Sequence, residues 1–356
     1  MCNIEKDHYK AEFSNYCPGY PYLPSILPAV RRIIAIGDIH GDLKYAQTAF
    51  LMAGLMDQKH QWTGGDTVVV QTGDQIDSGY RKNDISIPAL YQDDHDPVED
   101  LNVLEFMTTM DSQARHSGGA VYSLLGNHEI MNVQGDLRFV SYNNLKNFKY
   151  KGYRGIMGRK ETFKPGGPLA KFLACTRNSA IFIGSNLFMH ADIFPFLDKY
   201  DNIKDPGERL KFLNSMVRKW LLGLVEDDTL IEEIINYQGD YSSFWGRILG
   251  EIPSDLEFQN EKCKYVREII HKYQLKTFKI GQIIVAHTPQ RKGRISSTCD
   301  HMVYRIDIGT NRAFRYYNKT DTRIEVLEIL NDKIFKVISQ PYNPLPTIGN
   351  ACPDGS

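Results

Sequence analysis

Cysteine is sparse: six residues, at 2, 17, 175, 263, 299 and 352 of 356, and no two form a Cys-x-x-Cys pair. That spacing excludes a zinc knuckle and a dithiol redox motif. Long hydrophobic runs are missing as well; none approaches the roughly 18 residues needed to cross a bilayer. Excess charge of one sign is also absent. The 42 basic and 43 acidic residues leave a net charge of −1, so bulk electrostatics offers no attraction for nucleic acid or an anionic membrane. The opening "MCNIEKDHYKAEF" has no apolar signal region, and neither "MCN" nor the final "CPDGS" is a lipidation box. The expectation is a soluble, cytoplasmic protein with reduced thiols and with neither nucleic acid nor membrane as partner.

What is present is ordinary globular material, 42% hydrophobic and 24% charged, enough for a large core. Residues 1–30 read as a Pro-rich arm, since "NYCPGYPYLPSILP" holds four prolines and suits an extended segment packed on the body. Beyond it, short β-branched runs predict buried strands. These are "IIAI" 33–36, "TVVVQT" 67–72, "AVYSLL" 120–125, "AIFIGSNLFM" 180–189, "QIIVA" 282–286 and "VYRIDI" 303–308. Helical spacing appears after Asp42, a predicted N-cap, in "DLNVLEFMTTMDSQA", and from residue 209. "RIEVLEILNDKIFKVIS" reads as a hairpin turning at Asn331-Asp332. Alternating strands and helices give an α/β fold with a mixed sheet. Residues 195–275, poor in strand signals, suggest a helical insertion.

The strands end in an unusual way. "RRIIAIGDIHGD" closes on Asp38 and His40; "QTGDQIDSG" carries Asp74 and Asp77; "LLGNHE" carries Asn127, His128 and Glu129; "FMHAD" carries His190; and "VAHTP" carries His287. In open α/β folds, sites form at the carboxyl ends of strands, so these loops can converge. Asp, His and Asn without thiolate is an oxygen/imidazole set suited to Mn, Fe or Zn. Asp38, His40, Asp74, Asn127, His190 and His287 are too many ligands for one tetrahedral ion. They suit two divalent metal ions bridged by a carboxylate such as Asp74, the template for two-metal phosphoester hydrolysis.

"GDIHG", "GDQID" and "GNHE", followed by His190 and His287, resemble the calcineurin-like metallophosphoesterases, specifically the phosphoprotein phosphatase family. "WTGGDTVVVQTGDQIDSG", "SGGAVYSLLGNHEIMNVQGDLRFVS", "SSFWGRI" and "IIVAHTPQ…VYRIDIGTNRAF" resemble its Shewanella-like protein phosphatase branch. The likeness spans roughly residues 32–315. It implies a central mixed β-sandwich flanked by helices, with a catalytic domain over residues 31–340 and a tail at 341–356. It also implies that Asp38, His40 and Asp74 hold one metal, and that Asp74, Asn127, His190 and His287 hold the other. On the same resemblance, the metals would supply an activated hydroxide, His128 would protonate the leaving oxygen, oriented by Asp77, and Arg247 and Asn127 would bind the phosphate.

Two departures from the family pattern stand out. Where the second motif normally reads Asp-Arg-Gly, this chain has Asp77-Ser78-Gly79, losing one arginine of the phosphate clamp; Arg81, Arg159 and Arg177 are the candidates to replace it. Where the fourth often reads His-Gly-Gly, the chain has His190-Ala191-Asp192. Asp192 either adds charge near the metals or caps a turn, which the following "DIFPF" favours. The function expected is hydrolysis of phosphomonoesters, on phosphoserine/threonine or phosphotyrosine in proteins. The alternatives are a small-molecule or dinucleoside polyphosphate substrate, and a non-catalytic phosphate-binding scaffold.

Overall fold

Strand β2 (Arg32–Ile36) is apolar at successive positions because both of its faces are covered. Ile33 and Ala35 point into one core, and Ile34 and Ile36 into a second beneath two helices. The computed structural model describes residues 8–79, 81–82, 85–86, 96–225, 229–239, 242–275, 278–314 and 322–343. In chain order the other sandwich strands are β1 (Ile26–Leu27), β3 (Val68–Gln71), β4 (Ala120–Leu124), β5 (Arg177–Asn178), β6 (Ala180–Ile183), β7 (Asn186–Met189), β8 (Gln282–Val285), β9 (Ser296–Thr298), β10 (Val303–Arg305), β11 (Arg323–Leu330) and β12 (Ile334–Pro341).

They form two six-stranded sheets, ordered β12-β11-β2-β3-β4-β5 and β1-β6-β7-β8-β10-β9. In the first, β2, β3, β4 and β5 run parallel, while β11 is antiparallel to β2 and β12. In the second, β7, β8 and β10 run parallel, with antiparallel β6 and β9 beside them. Inward residues of both sheets share one core, among them Ile33, Val70 and Tyr122 from the first and Ile181, Leu187 and Ile283 from the second. The helices Leu43–Met52 and Asp100–Arg115 cover the outer face of the first sheet. This is the mixed β-sandwich flanked by helices that the resemblance implied. Between β7 and β8 the chain is mainly helical, with Pro206–Leu221 its longest helix among the described residues.

Local chemistry sets the boundaries. Asp42 caps the helix Leu43–Met52 by accepting from the Tyr45 N–H at 3.0 Å. Asn331 and Asp332, with φ of 51° and 62°, make the expected hairpin turn. The run 180–189 differs from expectation: it is a hairpin, not one strand, because Gly184 takes a φ of 64°. The Asp332 carboxylate secures that turn, accepting from Ser185 N–H at 3.0 Å and Asn186 Nδ2 at 2.6 Å. The run 303–308 pairs only as far as Arg305.

The described part of the N-terminal segment includes a helix, His8–Tyr16, ahead of the prolines. Phe13 anchors it in the core, and Glu12 pairs with Lys219 at 2.7 Å. The expected reduced thiols are corrected by the structure. Cys17 bonds to Cys175 across 158 residues, and Cys263 to Cys299 across 36. Neither pair is visible in local spacing, because only tertiary packing brings its sulfurs together.

Candidate metal centre

The carboxyl ends of β2, β3 and β4 lie on one edge because those strands are parallel. The ends of β7 and β8 join them there; the Ala286 N–H donates to His190 O at 3.0 Å. Asp38, His40, Asp74, Asn127, His128, Arg247 and His287 consequently line one cleft. His190 is fully buried behind it, with Nε2 2.9 Å from Asn127 Oδ1. Asp77 lies one layer deeper, under His128.

Asp74 Oδ2 is the common point. His190 Nε2 lies 3.4 Å from it, and the Nε2 atoms of His40 and His128 each 3.8 Å. In every case the ring's other nitrogen is held from outside. His40 Nδ1 faces Ile76 O at 3.3 Å and His190 Nδ1 faces Thr72 O at 2.8 Å. A carbonyl only accepts, so Nδ1 carries a proton in both rings, and Nε2 is the nitrogen left facing Asp74, as in histidines that bind metal. His287 uses the opposite edge, with Nε2 against Trp245 O at 3.2 Å. His128 stands apart, for its Nδ1 meets a carboxylate, Asp77 Oδ2, at 2.8 Å.

The backbone is bent to make this possible. His40, Asp74, Asp77 and His287 have φ of 50°, 53°, 74° and 65°, a left-handed region that non-glycine residues seldom occupy outside functional loops. Gly126 permits a close approach, since a Cβ there would meet Asp74 Oδ1 at 2.2 Å. Glu129 ties the loops together by accepting backbone N–H groups from Asp74, Gln75 and Gly126 at 2.9, 2.8 and 2.7 Å.

The donor set fits divalent cations. Groups of ligand atoms sharing Asp74 can hold an ion at His40–Asp74–His128 and at Asp74–His190–His287. Asp38 Oδ1 is buried without a hydrogen-bond partner, and Asp38 Oδ2 lies 3.8 Å from His40 Nε2. Burial, then the charges of Asp307 and Asp74, push the Asp38 carboxyl well above its ordinary range. So many carboxylates in one buried pocket call for a cation. Asp74 goes the other way: burial alone would raise it, but His190, His128 and His40 hold it well below the usual range. His287 is pushed down by burial, His190 and Arg247, leaving a neutral imidazole able to bind metal.

Some residues fall outside the expectation. Asp307 lines the cleft, beside Asp38, and follows the "VYRI" run much as Asp38 and Asp74 follow theirs. Of the candidates to replace the clamp arginine, Arg159 and Arg177 are committed elsewhere. Arg159 is fully buried between Asp77 and Asp100, and Arg177 donates to Gln75 Oε1, Leu104 O and Thr108 Oγ1. The Arg81 side chain lies outside what the structure describes. Asp192 caps a turn, accepting from Phe194 N–H at 3.0 Å and Tyr265 Oη at 2.7 Å.

A family model for calcineurin-like phosphoesterases matches residues 31–291, most of the chain. The chain belongs to this family. An uncharacterized protein, R398, of Acanthamoeba polyphaga mimivirus is 41% identical over 67% of the chain and 99% of that relative. Shewanella-like protein phosphatase 2 of Arabidopsis thaliana is 27% identical over 88% of the chain and 78% of its own length. Among solved structures, a cold-active protein-tyrosine phosphatase of a psychrophilic Shewanella superposes with a TM-score of 0.57 at 21% identity, covering 89% of this chain and 82% of that one. It shares the sandwich fold. This calcineurin-like phosphoesterase thus carries residues suited to divalent metal at one edge of its sandwich. No helix among its described residues is long and apolar enough to cross a membrane.

Proposed function

We propose that the chain is a protein phosphatase working with two divalent ions, Mn, Fe or Zn. The supporting observation is the convergence of His40, His128 and His190 on Asp74 Oδ2. Asp38, His40 and Asp74 hold one ion, and Asp74, Asn127, His190 and His287 the other. When bound, the ions neutralise the phosphoryl oxygens and supply an activated water. The chain's own side chains do the rest. Arg247, at the cleft wall and steadied by donating to His287 O at 3.0 Å, binds the phosphate together with the Asn127 amide. His128 delivers a proton from Nε2 to the leaving oxygen, while Asp77 on Nδ1 holds the ring in place.

Phe139, Trp245 and Phe314 wall the cleft. Flat apolar walls suit an aryl leaving group, which supports phosphotyrosine over phosphoserine or phosphothreonine. The missing arginine at Ser78 supports a second reading, a small phosphoester or dinucleoside polyphosphate whose other contacts compensate. The disulfides favour a compartment that permits them over the reduced cytoplasm first expected.

The test is metal-dependent hydrolysis of p-nitrophenyl phosphate beside phosphoserine and phosphotyrosine peptides, after loading with Mn, Fe or Zn, with Asp74→Asn as control. Metal-dependent turnover lost in the control supports the proposal, and preference for the phosphotyrosine peptide supports the aryl assignment. Metal binding without turnover on any substrate, including dinucleoside polyphosphates, overturns it in favour of a phosphate-binding scaffold.

A further inference from the structure

His128 is the outermost member of a buried chain of side chains that runs away from the cleft. Its Nδ1 meets Asp77 Oδ2 at 2.8 Å. Asn132 Nδ2 donates to Asp77 Oδ1 at 2.9 Å and Oδ2 at 3.0 Å, and to His128 O at 2.9 Å. Asn132 Oδ1 in turn accepts from Arg159 Nε at 2.8 Å. Arg159 Nη2 closes the network, 3.2 Å from Asp77 Oδ1 and 2.8 Å from Asp100 Oδ2. Asp100 Oδ1 accepts the Asp77 N–H at 3.1 Å.

Arg159 has no exposed surface, and its guanidinium lies 5.2 Å from the Phe163 ring and 5.8 Å from Phe148. Burying a cation so completely is expensive, and an apolar residue of similar volume often serves stability as well or better. What an apolar residue cannot do is orient a carboxylate. The terminal torsion of aspartate is broad and roughly two-fold, so Asp77 alone would let the His128 ring swing with it. Arg159 pulls on Oδ1 and Asn132 spans both oxygens. Together they hold the carboxylate plane with Oδ2 toward His128, which aims Nε2 into the cleft.

We infer that Arg159 is a positioning residue for proton delivery to the leaving oxygen, acting through Asn132 and Asp77 on His128. It rests on the proposed role of His128 as acid. A proton matters most when the leaving group is a poor one, an alkoxide, and least when it is p-nitrophenolate. Loss of Arg159 should therefore appear as a dependence on leaving group, which a general loosening of the fold does not produce.

The experiment compares wild type, Arg159→Lys, Arg159→Met and Asn132→Ala, with His128→Asn as reference, on p-nitrophenyl, phenyl and alkyl phosphates. KM and bound metal are measured alongside kcat. The expected result for Arg159→Lys, which keeps the charge but loses the fork, is a kcat loss on alkyl phosphate about tenfold greater than on p-nitrophenyl phosphate. KM and metal content stay near wild type, and Asn132→Ala behaves alike. Should Arg159→Met not fold, the lysine and Asn132 variants still decide. An equal loss on every substrate, or none, overturns the inference provided His128→Asn shows the leaving-group dependence. If His128→Asn lacks it, the assignment of the acid fails first, and the inference with it.

Discussion

Glu129 Oε2, in the short helix Asn127–Val133 after β4, accepts the backbone N–H of Asp74, in the loop after β3, at 2.9 Å. The same oxygen takes the Gly126 N–H at 2.7 Å, and Oε1 takes Gln75 N–H at 2.8 Å. Burial, then the charge of Asp74, pushes the Glu129 carboxyl up to about 7, and each bond to it is worth about 0.5–1.5 kcal/mol, more when the carboxyl is ionised. In Glu129→Gln one acceptor becomes an amide nitrogen facing N–H donors. Metal affinity should fall about 10–100-fold, as for other outer-shell partners. Titration of metal into the apo variant checks this; unchanged affinity would mean that the loops hold their spacing without the staple.

Arg247 lines the cleft beside His287. Arg247→Ala should lose on the order of 2–4 kcal/mol of transition-state binding, seen in kcat/KM. Bound metal should change little, because Arg247 meets His287 only at its backbone carbonyl and leaves the ring free. If kcat/KM barely moves, another cation grips the phosphate.

The segment carrying Arg247 is laid along the β9–β10 hairpin. Arg305 donates to Ile252 O and to Ser254 Oγ, the Asp255 N–H donates to Ser297 O at 3.0 Å, and Thr298 Oγ1 donates to Pro253 O at 2.6 Å. The Cys263–Cys299 disulfide pins the far end of this run. Replacing both cysteines by serine should cost about 3–4 kcal/mol, the loop-closure expectation for a loop of this size. KM should rise several-fold as Arg247 gains freedom, with bound metal unchanged. Thermal unfolding and KM, with and without reductant, test both halves.

Burial pushes the Asp192 carboxyl up from 3.8 to about 6, against the bonds from Phe194 and Tyr265. A carboxyl raised on folding keeps its proton in the native state while the unfolded chain loses its own. Its stabilisation is full below about pH 4 and is lost as pH rises to about 6, up to about 3 kcal/mol in all. Asp192→Asn removes this dependence. Its thermal midpoint should therefore gain on wild type between pH 4 and 7; parallel curves would show that Asp192 stays ionised throughout.

Much of this molecule was legible because its signals are local. β2, β3 and β4 follow from apolar runs buried on both faces, and Asp42 and Asn331-Asp332 act as cap and turn through short-range bonds. Parallel strands sharing one edge then carry Asp38, Asp74 and Asn127 to a common place. The hairpin at Gly184 was missed because its flanks are equally apolar, so periodicity carried no break.

The sequence by itself determined the kinds of ligand and the strand ends that bear them, since each depends only on a run of residues and the loop that follows. Tertiary structure alone decided the pairing of Cys17 with Cys175, the placing of Asp307 beside Asp38, and the turning of Arg159 inward to Asp77 and Asp100. An arginine reads as a free cation in sequence. Whether it meets phosphate or a buried carboxylate depends on partners tens of residues away, whose positions exist only once the two sheets have packed.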